Sequence, residues 1–220
     1  MMPGVMPPIY ELLLSIQGAM LKAVTPQLRA VTVDINSEKA ELSIVFFYDG
    51  EITDELFDLA SVAAVEVDIF PFDYVVVGDN SVQLDFPKEI PIQGRLAFLR
   101  HEPNLPTIKM ENKLFLLKEP VKPLHIFCLD MQEALLGKVS PTLRRVRVNI
   151  DPDHKKLISH FYYDEEISDM DFKLANAAIQ DARISFPDYA TESQIERIDY
   201  PNEIPADGCK AVYWRWENKC

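Results

Sequence analysis

A nine-residue stretch occurs twice in this chain. Phe46-Phe47-Tyr48-Asp49-Gly50-Glu51-Ile52-Thr53-Asp54 returns 115 residues later as Phe161-Tyr162-Tyr163-Asp164-Glu165-Glu166-Ile167-Ser168-Asp169. Aligned at that offset, residues 16–54 and 131–169 share 17 identities in 39 positions, among them Gln17/Gln132, Pro26/Pro141, Leu28/Leu143, Arg29/Arg144 and Asp49/Asp164. Further on, Asp85-Phe86-Pro87-Lys88-Glu89-Ile90-Pro91 matches Asp199-Tyr200-Pro201-Asn202-Glu203-Ile204-Pro205. A period this long is no solenoid unit; it is the size of a whole small domain. The chain therefore reads as a tandem duplication, with residues 1–102 as the first α+β repeat, 103–124 as a linker and 125–220 as the second repeat.

Each repeat opens with a helix. Ile16, Met20 and Val24 fall on one stripe beside Ala19, and Met131, Leu135 and Val139 repeat it beside Ala134. Thr25-Pro26 and Ser140-Pro141 are the expected stops, because proline lacks the amide hydrogen and disfavours helix before it. Strand alternation follows in Val31, Val33 and Ile35, then in Leu42, Ile44, Phe46 and Tyr48. Thr53 and Ser168 stand where helix N-caps belong. The next stripe reads Phe57, Ala60, Ala64 and Val67, and then Phe172, Ala175, Ile179 and Ala182. Two short strands close each half, around Val82–Phe86 with Gly94–Arg100 and Ile195–Tyr200 with Cys209–Arg215. The expected fold is two tandem α-β-β-α-β-β domains, each an antiparallel sheet with two helices on one face. Two equivalent cores are expected with it. Within the linker, Lys113-Leu114-Phe115-Leu116-Leu117 reads either as a short strand or as a docking segment.

Charge narrows the partners. The net charge of −13 disfavours a protein that grips nucleic acid through broad phosphate contacts and is compatible with a basic protein partner. It is uneven: residues 1–110 carry 7 Lys/Arg against 16 Asp/Glu, and residues 111–220 carry 15 against 19. Three cysteines without metal or redox spacing suit a reducing compartment. The N-terminus shows no signal-peptide pattern, and no apolar run approaches the roughly 20 residues that span a bilayer. The expectation is a soluble, cytoplasmic chain.

No catalytic, cofactor or metal motif stands out. Among 7 glycines no phosphate-cradling loop forms, and neither Gly-x-Ser-x-Gly nor His-Glu-x-x-His is present. The candidate partner-binding residues are the acidic turns: Asp49, Glu51, Asp54, Glu55 and Asp58 in the first half, and Asp164, Glu165 and Glu166 in the second. Helix capping and a solvated surface would account for many of the same carboxylates. An alternative basic, aromatic face collects Arg145, Arg147, His160 and Tyr162, an arrangement suited to phosphate or RNA, in an enzyme or an RNA-binding module. The aromatic tail Tyr213-Trp214-Arg215-Trp216 reads as a last strand, with at least one tryptophan in the core.

The stretches Thr25-Pro26-x-Leu28-Arg29-Ala30-Val31, Phe46-Phe47-Tyr48-Asp49-Gly50-Glu51-Ile52 and Leu84-Asp85-Phe86-Pro87 are similar to small bacterial immunity proteins of contact-dependent and other polymorphic toxin systems. The resemblance covers residues 9–102 and 125–217, and its motifs are structural ones. It implies a cytoplasmic, non-enzymatic protein that binds and neutralises a toxin domain, often a nuclease, without a cofactor. The present chain departs from it by carrying two copies.

Overall fold

The computed structural model describes residues 9–36, 38–67, 75–92, 94–103 and 123–217. The first half runs α1 (Ile9–Met20), β1 (Leu28–Asn36), β2 (Glu41–Tyr48), α2 (Asp54–Glu66), β3 (Val75–Gln83) and β4 (Arg95–Leu99). The second repeats it as α3 (Pro123–Leu135), β5 (Leu143–Asp151), β6 (Lys156–Tyr163), α4 (Asp169–Ala182), β7 (Ala190–Arg197) and β8 (Lys210–Trp214). The α+β class, the element order and the two similar halves are as the sequence indicated. The Lys113–Leu117 segment lies outside the described residues, as does nearly all of the 103–124 span, and α3 already begins at Pro123 within that span.

Each sheet is mixed, which corrects the antiparallel expectation. The orders are β3-β2-β1-β4 and β7-β6-β5-β8. β1 runs antiparallel to β2 and β4, but β3 is parallel to β2, and β7 is parallel to β6. Alternation of side chains tells which face is buried and says nothing of a neighbour's direction; the connection decides that. A tight turn from β1 to β2 enforces antiparallel pairing, whereas α2 carries the chain back along the sheet, so β3 starts from the same end as β2. The two closing strands therefore lie on opposite edges, with β3 reaching back to Val75.

Within the strands the expected faces hold. Val31, Val33, Leu42, Ile44, Phe46 and Tyr48 face α1 and α2, while Ala30 and Phe47 pack on the other side with Leu96 and Leu99. A bulge between Leu28 and Ala30 lets Leu28 join the helix side as well. The α2 stripe holds at Ala60, Ala64 and Val67 and fails at Phe57, whose place Leu56 takes. Leu56, Ala60, Ala63 and Ala64 point inward, and Phe57, expected in the core, is 49% exposed. In α4 the expected Ala175, Ile179 and Ala182 are buried, joined by Asp171 and Ala178, and Phe172 is 42% exposed. A narrow alanine seam lets the helix lie close to the sheet, and the bulky Phe is left on its flank. Of the aromatic tail, Tyr213 is buried, whereas Trp214 and Trp216 are only half-buried, so neither tryptophan takes the expected core role.

The halves are joined reciprocally. α1 stops at Met20 and α3 at Leu135, short of the prolines, and left-handed residues follow: Lys22 at φ 69° and Gly137 at φ 70°. Their amides donate across the molecule, Lys22 N to Trp214 O at 2.9 Å and Gly137 N to Leu99 O at 2.8 Å. Val24 then bridges to Arg215, and Val139 to Arg100. Buried Gln17 donates to Val212 O at 3.2 Å, and Gln132 approaches Ala97 O at 3.5 Å. Every contact recurs with both partners moved by 115 residues, so the halves meet as the subunits of a symmetric dimer do. As a result, the two expected cores are one: a single buried cluster runs from Leu12 through Met131 to Tyr213.

Two stability predictions arise from this frame. Gly94 sits at φ 77°, where an added Cβ would meet Val33 O at 2.3 Å, whereas Gly208 at φ 74° opens onto free space. Gly94→Ala should lose about 2 kcal/mol in a urea titration, and Gly208→Ala no more than about 1 kcal/mol. Equal losses would show that φ alone, and not the approach of Val33, demands glycine. The other concerns Asp130 on α3, only 7% exposed, whose Oδ2 has no hydrogen-bond partner among the described residues. Burial, reinforced by the Glu133 charge and opposed by Ser185, pushes its carboxyl up to about 6. Folding therefore favours the neutral acid, and stability declines as pH rises from the unfolded value towards 6 and stays low above it. Asp130→Asn should gain about 2 kcal/mol at pH 8 and about half of that at pH 5, by denaturant titration. A gain independent of pH would assign the effect to packing instead.

Candidate partner-binding site

The acidic turns are built from a clasp that the sequence shows only as repeated identities. Asp49 does not project freely; its Oδ1 accepts from Phe86 N at 3.1 Å and its Oδ2 from Arg100 at 3.0 Å. Asp85 answers by accepting from Gly50 N at 2.9 Å. In the second half Asp164 accepts from Tyr200 N at 2.9 Å and Arg215 at 2.7 Å, while Asp199 accepts from Glu165 N at 2.7 Å. Two aspartates thus staple the turn after β2 to the loop after β3. The turn needs a left-handed residue, which is Gly50 at φ 82° in one copy and Glu165 at φ 61° in the other.

Behind each clasp lies a buried arginine. Arg29, 1% exposed, makes a bidentate pair with Glu102 at 2.6 Å per bond and donates to Leu84 O at 2.6 Å and Lys88 O at 3.0 Å. Arg100 completes the chain, touching both Asp49 and Glu102 at 3.0 Å. Arg144 plays the same part with Glu217, Ile198 O and Asn202 O. Burial works against ionising Asp49 and Glu102, but the guanidinium groups prevail and hold both below the ordinary carboxylate range. The alternating charges Asp49, Arg100, Glu102 and Arg29 make the turn rigid.

Other carboxylates remain exposed. Glu51, Asp54, Glu55 and Asp58 are at the surface, and none pairs with a described cation. Thr53 caps α2 as expected, its hydroxyl accepting from Leu56 N at 3.3 Å. Ser168 caps α4 in a reciprocal box with Asp171, which is buried and also accepts from Thr142. Phe57 stands exposed amid the first-half acids. Beside them a groove of about 520 Å³ runs between the halves, lined by Pro26, Glu51, Glu55 and Leu59 on one side and Asp164, Tyr200, Arg215, Trp216 and Glu217 on the other.

The second turn is less negative. Glu165 and Glu166 are exposed, but Arg197 stands on β7 where β3 has Gln83; its guanidinium pairs with Asp199 at 2.7 Å and lies more weakly in the field of Glu166. The alternative basic face is largely neutralised from within. Arg147 pairs with Asp207 at 2.6 Å, His160 meets the same carboxylate at 2.6 Å, and Tyr162 OH reaches it at 3.3 Å. Arg145 instead lies flat on Trp214, its guanidinium carbon 3.4 Å from the ring centroid, with Lys22 of the first half 4.1 Å from that centroid. Burial and the neighbouring Arg147 charge lower the Arg145 pKa. Much of the charge on that face is thus matched from within the domain.

Comparison with known proteins fits this picture. No curated protein matches the chain significantly. Among the described residues no helix is long and apolar enough to cross a membrane. The family model for the MafI2 immunity protein matches twice, over residues 10–102 and 126–217, which are the two structural halves. The chain, with most of its length covered by two copies of that model, belongs to the MafI2 immunity protein family, whose function is to neutralise a toxin.

Proposed function

We propose that this immunity protein is a non-enzymatic cytoplasmic inhibitor of a basic, nuclease-like toxin domain, and that the first half makes the principal contact. The observation that carries the reading is the set of exposed, uncompensated carboxylates Glu51, Asp54, Glu55 and Asp58 at the start of α2, of which Glu51 and Glu55 line the groove between the halves. Phe57, exposed on the same helix, supplies apolar area for an interface, and the carboxylates select a cationic surface. Asp49 is a positioning residue that keeps the turn preorganised, so little ordering is left for the moment of binding. Glu165 and Glu166, with Asp164 positioned like Asp49, form a secondary contact, weakened by Arg197. The groove offers an acidic slot to an arginine or lysine side chain.

The test is to co-express the chain with the toxin domain encoded beside it and to isolate the pair. The expected result is a stable complex, restored growth, and a toxin domain of net positive charge whose association weakens as salt rises. A neutral or acidic toxin bound with no salt dependence would overturn the charge reading while leaving the immunity role intact. Phe57→Ala should weaken this complex by at least about tenfold in a titration, the usual scale for an aromatic anchor, with folding little changed because the ring is half exposed.

A further inference from the structure

The second half carries a constellation that toxin binding does not require. His160 on β6 and Asp207 and Cys209 on the loop before β8 bring an imidazole, a carboxylate and a thiol to one spot. His160 Nδ1 lies 2.6 Å from Asp207 Oδ2, and the three ligand atoms all lie within 4.8 Å of one another. This mixed nitrogen, oxygen and sulfur set is the donor chemistry of a zinc-type cation. Around such an ion, ligand atoms at about 2.0–2.3 Å stand some 3.3–3.8 Å apart. To reach that spacing the 2.6 Å His160–Asp207 contact has to open by about 1 Å, with the thiol already within 4.8 Å of both.

The surroundings hold the ligands in place. Arg147 binds Asp207 Oδ1 at 2.6 Å and also donates to Pro205 O at 2.8 Å and Cys209 O at 2.9 Å. Oδ2 is therefore the oxygen that faces His160 and Tyr162. The Cys209 amide donates to Asp207 Oδ1 at 2.9 Å, which curls the loop and brings the thiol round. Outer groups that orient metal ligands act in this way.

Among the described residues the first half has no such cluster. Val45, Phe47 and Thr32 occupy the positions of His160, Tyr162 and Arg147. Cys209 is moreover an added residue. The left-handed glycines Gly94 and Gly208 differ by 114, yet Arg95 and Lys210, which pair with Val33 and Val148 in the same register, differ by 115. The extra position in the second half is the one that supplies the thiol.

We propose that His160, Asp207 and Cys209 form a binding site for a zinc-type divalent cation, oriented by Arg147 and Tyr162, with the fourth coordination position open to water or to a partner's side chain. The site does not depend on the toxin-binding reading. It is tested on the full chain, stripped of metal and kept reduced with a non-chelating reductant, by titrating cobalt and then displacing it with zinc. The expected result is one equivalent of cobalt with visible bands of a four-coordinate ion and a sulfur-to-cobalt charge-transfer band. Cys209→Ser should abolish that band, and His160→Gln should weaken binding at least about tenfold, while Cys220→Ser leaves both unchanged. Circular dichroism of each metal-free variant checks that the fold is retained. Absence of a charge-transfer band in the unmodified chain, or a band that survives Cys209→Ser, would overturn the proposal and leave the cluster as a loop clasp.

Discussion

Arg29→Met is expected to cost the fold about 3–5 kcal/mol, the scale for leaving one member of a buried ion pair without its partner. Glu102 would remain in the interior without the bidentate pair, and Leu84 and Lys88 would each lose a donor to their carbonyls. Arg144→Met should cost less, because Glu217 is more exposed than Glu102 and water can take over part of its solvation. Substituting both members, Arg29→Met with Glu102→Met, should recover much of the loss, since the penalty lies in a buried carboxylate left with Arg100 alone rather than in the missing attraction. The pH dependence follows with a definite sign. Asp49 and Glu102 have depressed folded-state values, so the stability they contribute is present above the unfolded carboxylate range and is lost as pH falls through the folded values. Arg29→Met should therefore narrow the gap between neutral and acid stability. Denaturant titrations at several pH values give the whole pattern. A loss near zero for Arg29→Met would mean that solvent reaches Glu102 freely and that the network is not what fixes the turn.

The duplication made much of this architecture legible. Alternation in β1 and β2 placed Val31, Val33, Ile44 and Phe46 on the buried face, and Thr53 and Ser168 were recognisable caps. Strand direction was not legible, because β3 and β7 pair with neighbours chosen by a helical crossover that leaves no mark on the alternation. In the α2 stripe Ala60, Ala64 and Val67 were placed rightly, and only Phe57 was misplaced: it looks like the natural core residue, but Leu56 takes that place beside an alanine seam. The clasp was half visible: Arg29/Arg144 and Asp85/Asp199 were repeated identities in plain view. Their meaning required knowing that loops some 55 residues downstream of Arg29 and Arg144 return to them. Glu102 and Glu217 each lie two residues after the repeated Arg100 and Arg215, at the end of a half, where alternation gives no signal. The conserved-looking Gln17 and Gln132 were similarly opaque, since each serves the other half and not its own.

Reciprocity between the halves also bears on why binding need not be symmetric. A symmetric dimer presents two equal faces, but a fused one is free to let them diverge. Here the frame is the same in both copies, and exposed positions around it differ: Gln83 against Arg197, Asp58 against Lys173, Val45 against His160. The first copy has kept its acids unopposed, and the second has acquired cations and the histidine cluster.

Reversing Glu51 and Glu55 to lysine should slow capture of the toxin domain by about a hundredfold at low salt, within the range that charge steering provides. Both side chains line the groove and neither is tied into the clasp, so the effect should fall on association more than on the fold. Loss of the Glu55 charge from the first turn of α2 should cost only about 0.3–1 kcal/mol of stability through the helix dipole, and the Thr53 cap is untouched. Raising the salt should bring the two rates together, because screening removes the attraction in one protein and the repulsion in the other. Reversal of Glu166 and Asp169 is the matched control. With Arg197 already opposing the second turn, it should change the rate by no more than about threefold. Stopped-flow association of the unmodified chain and both variants with the toxin domain, at low and high salt, measures all six rates. If the control pair slows capture and the first pair does not, the second half is the binding half, and the divergence of the two copies runs opposite to the assignment given to it.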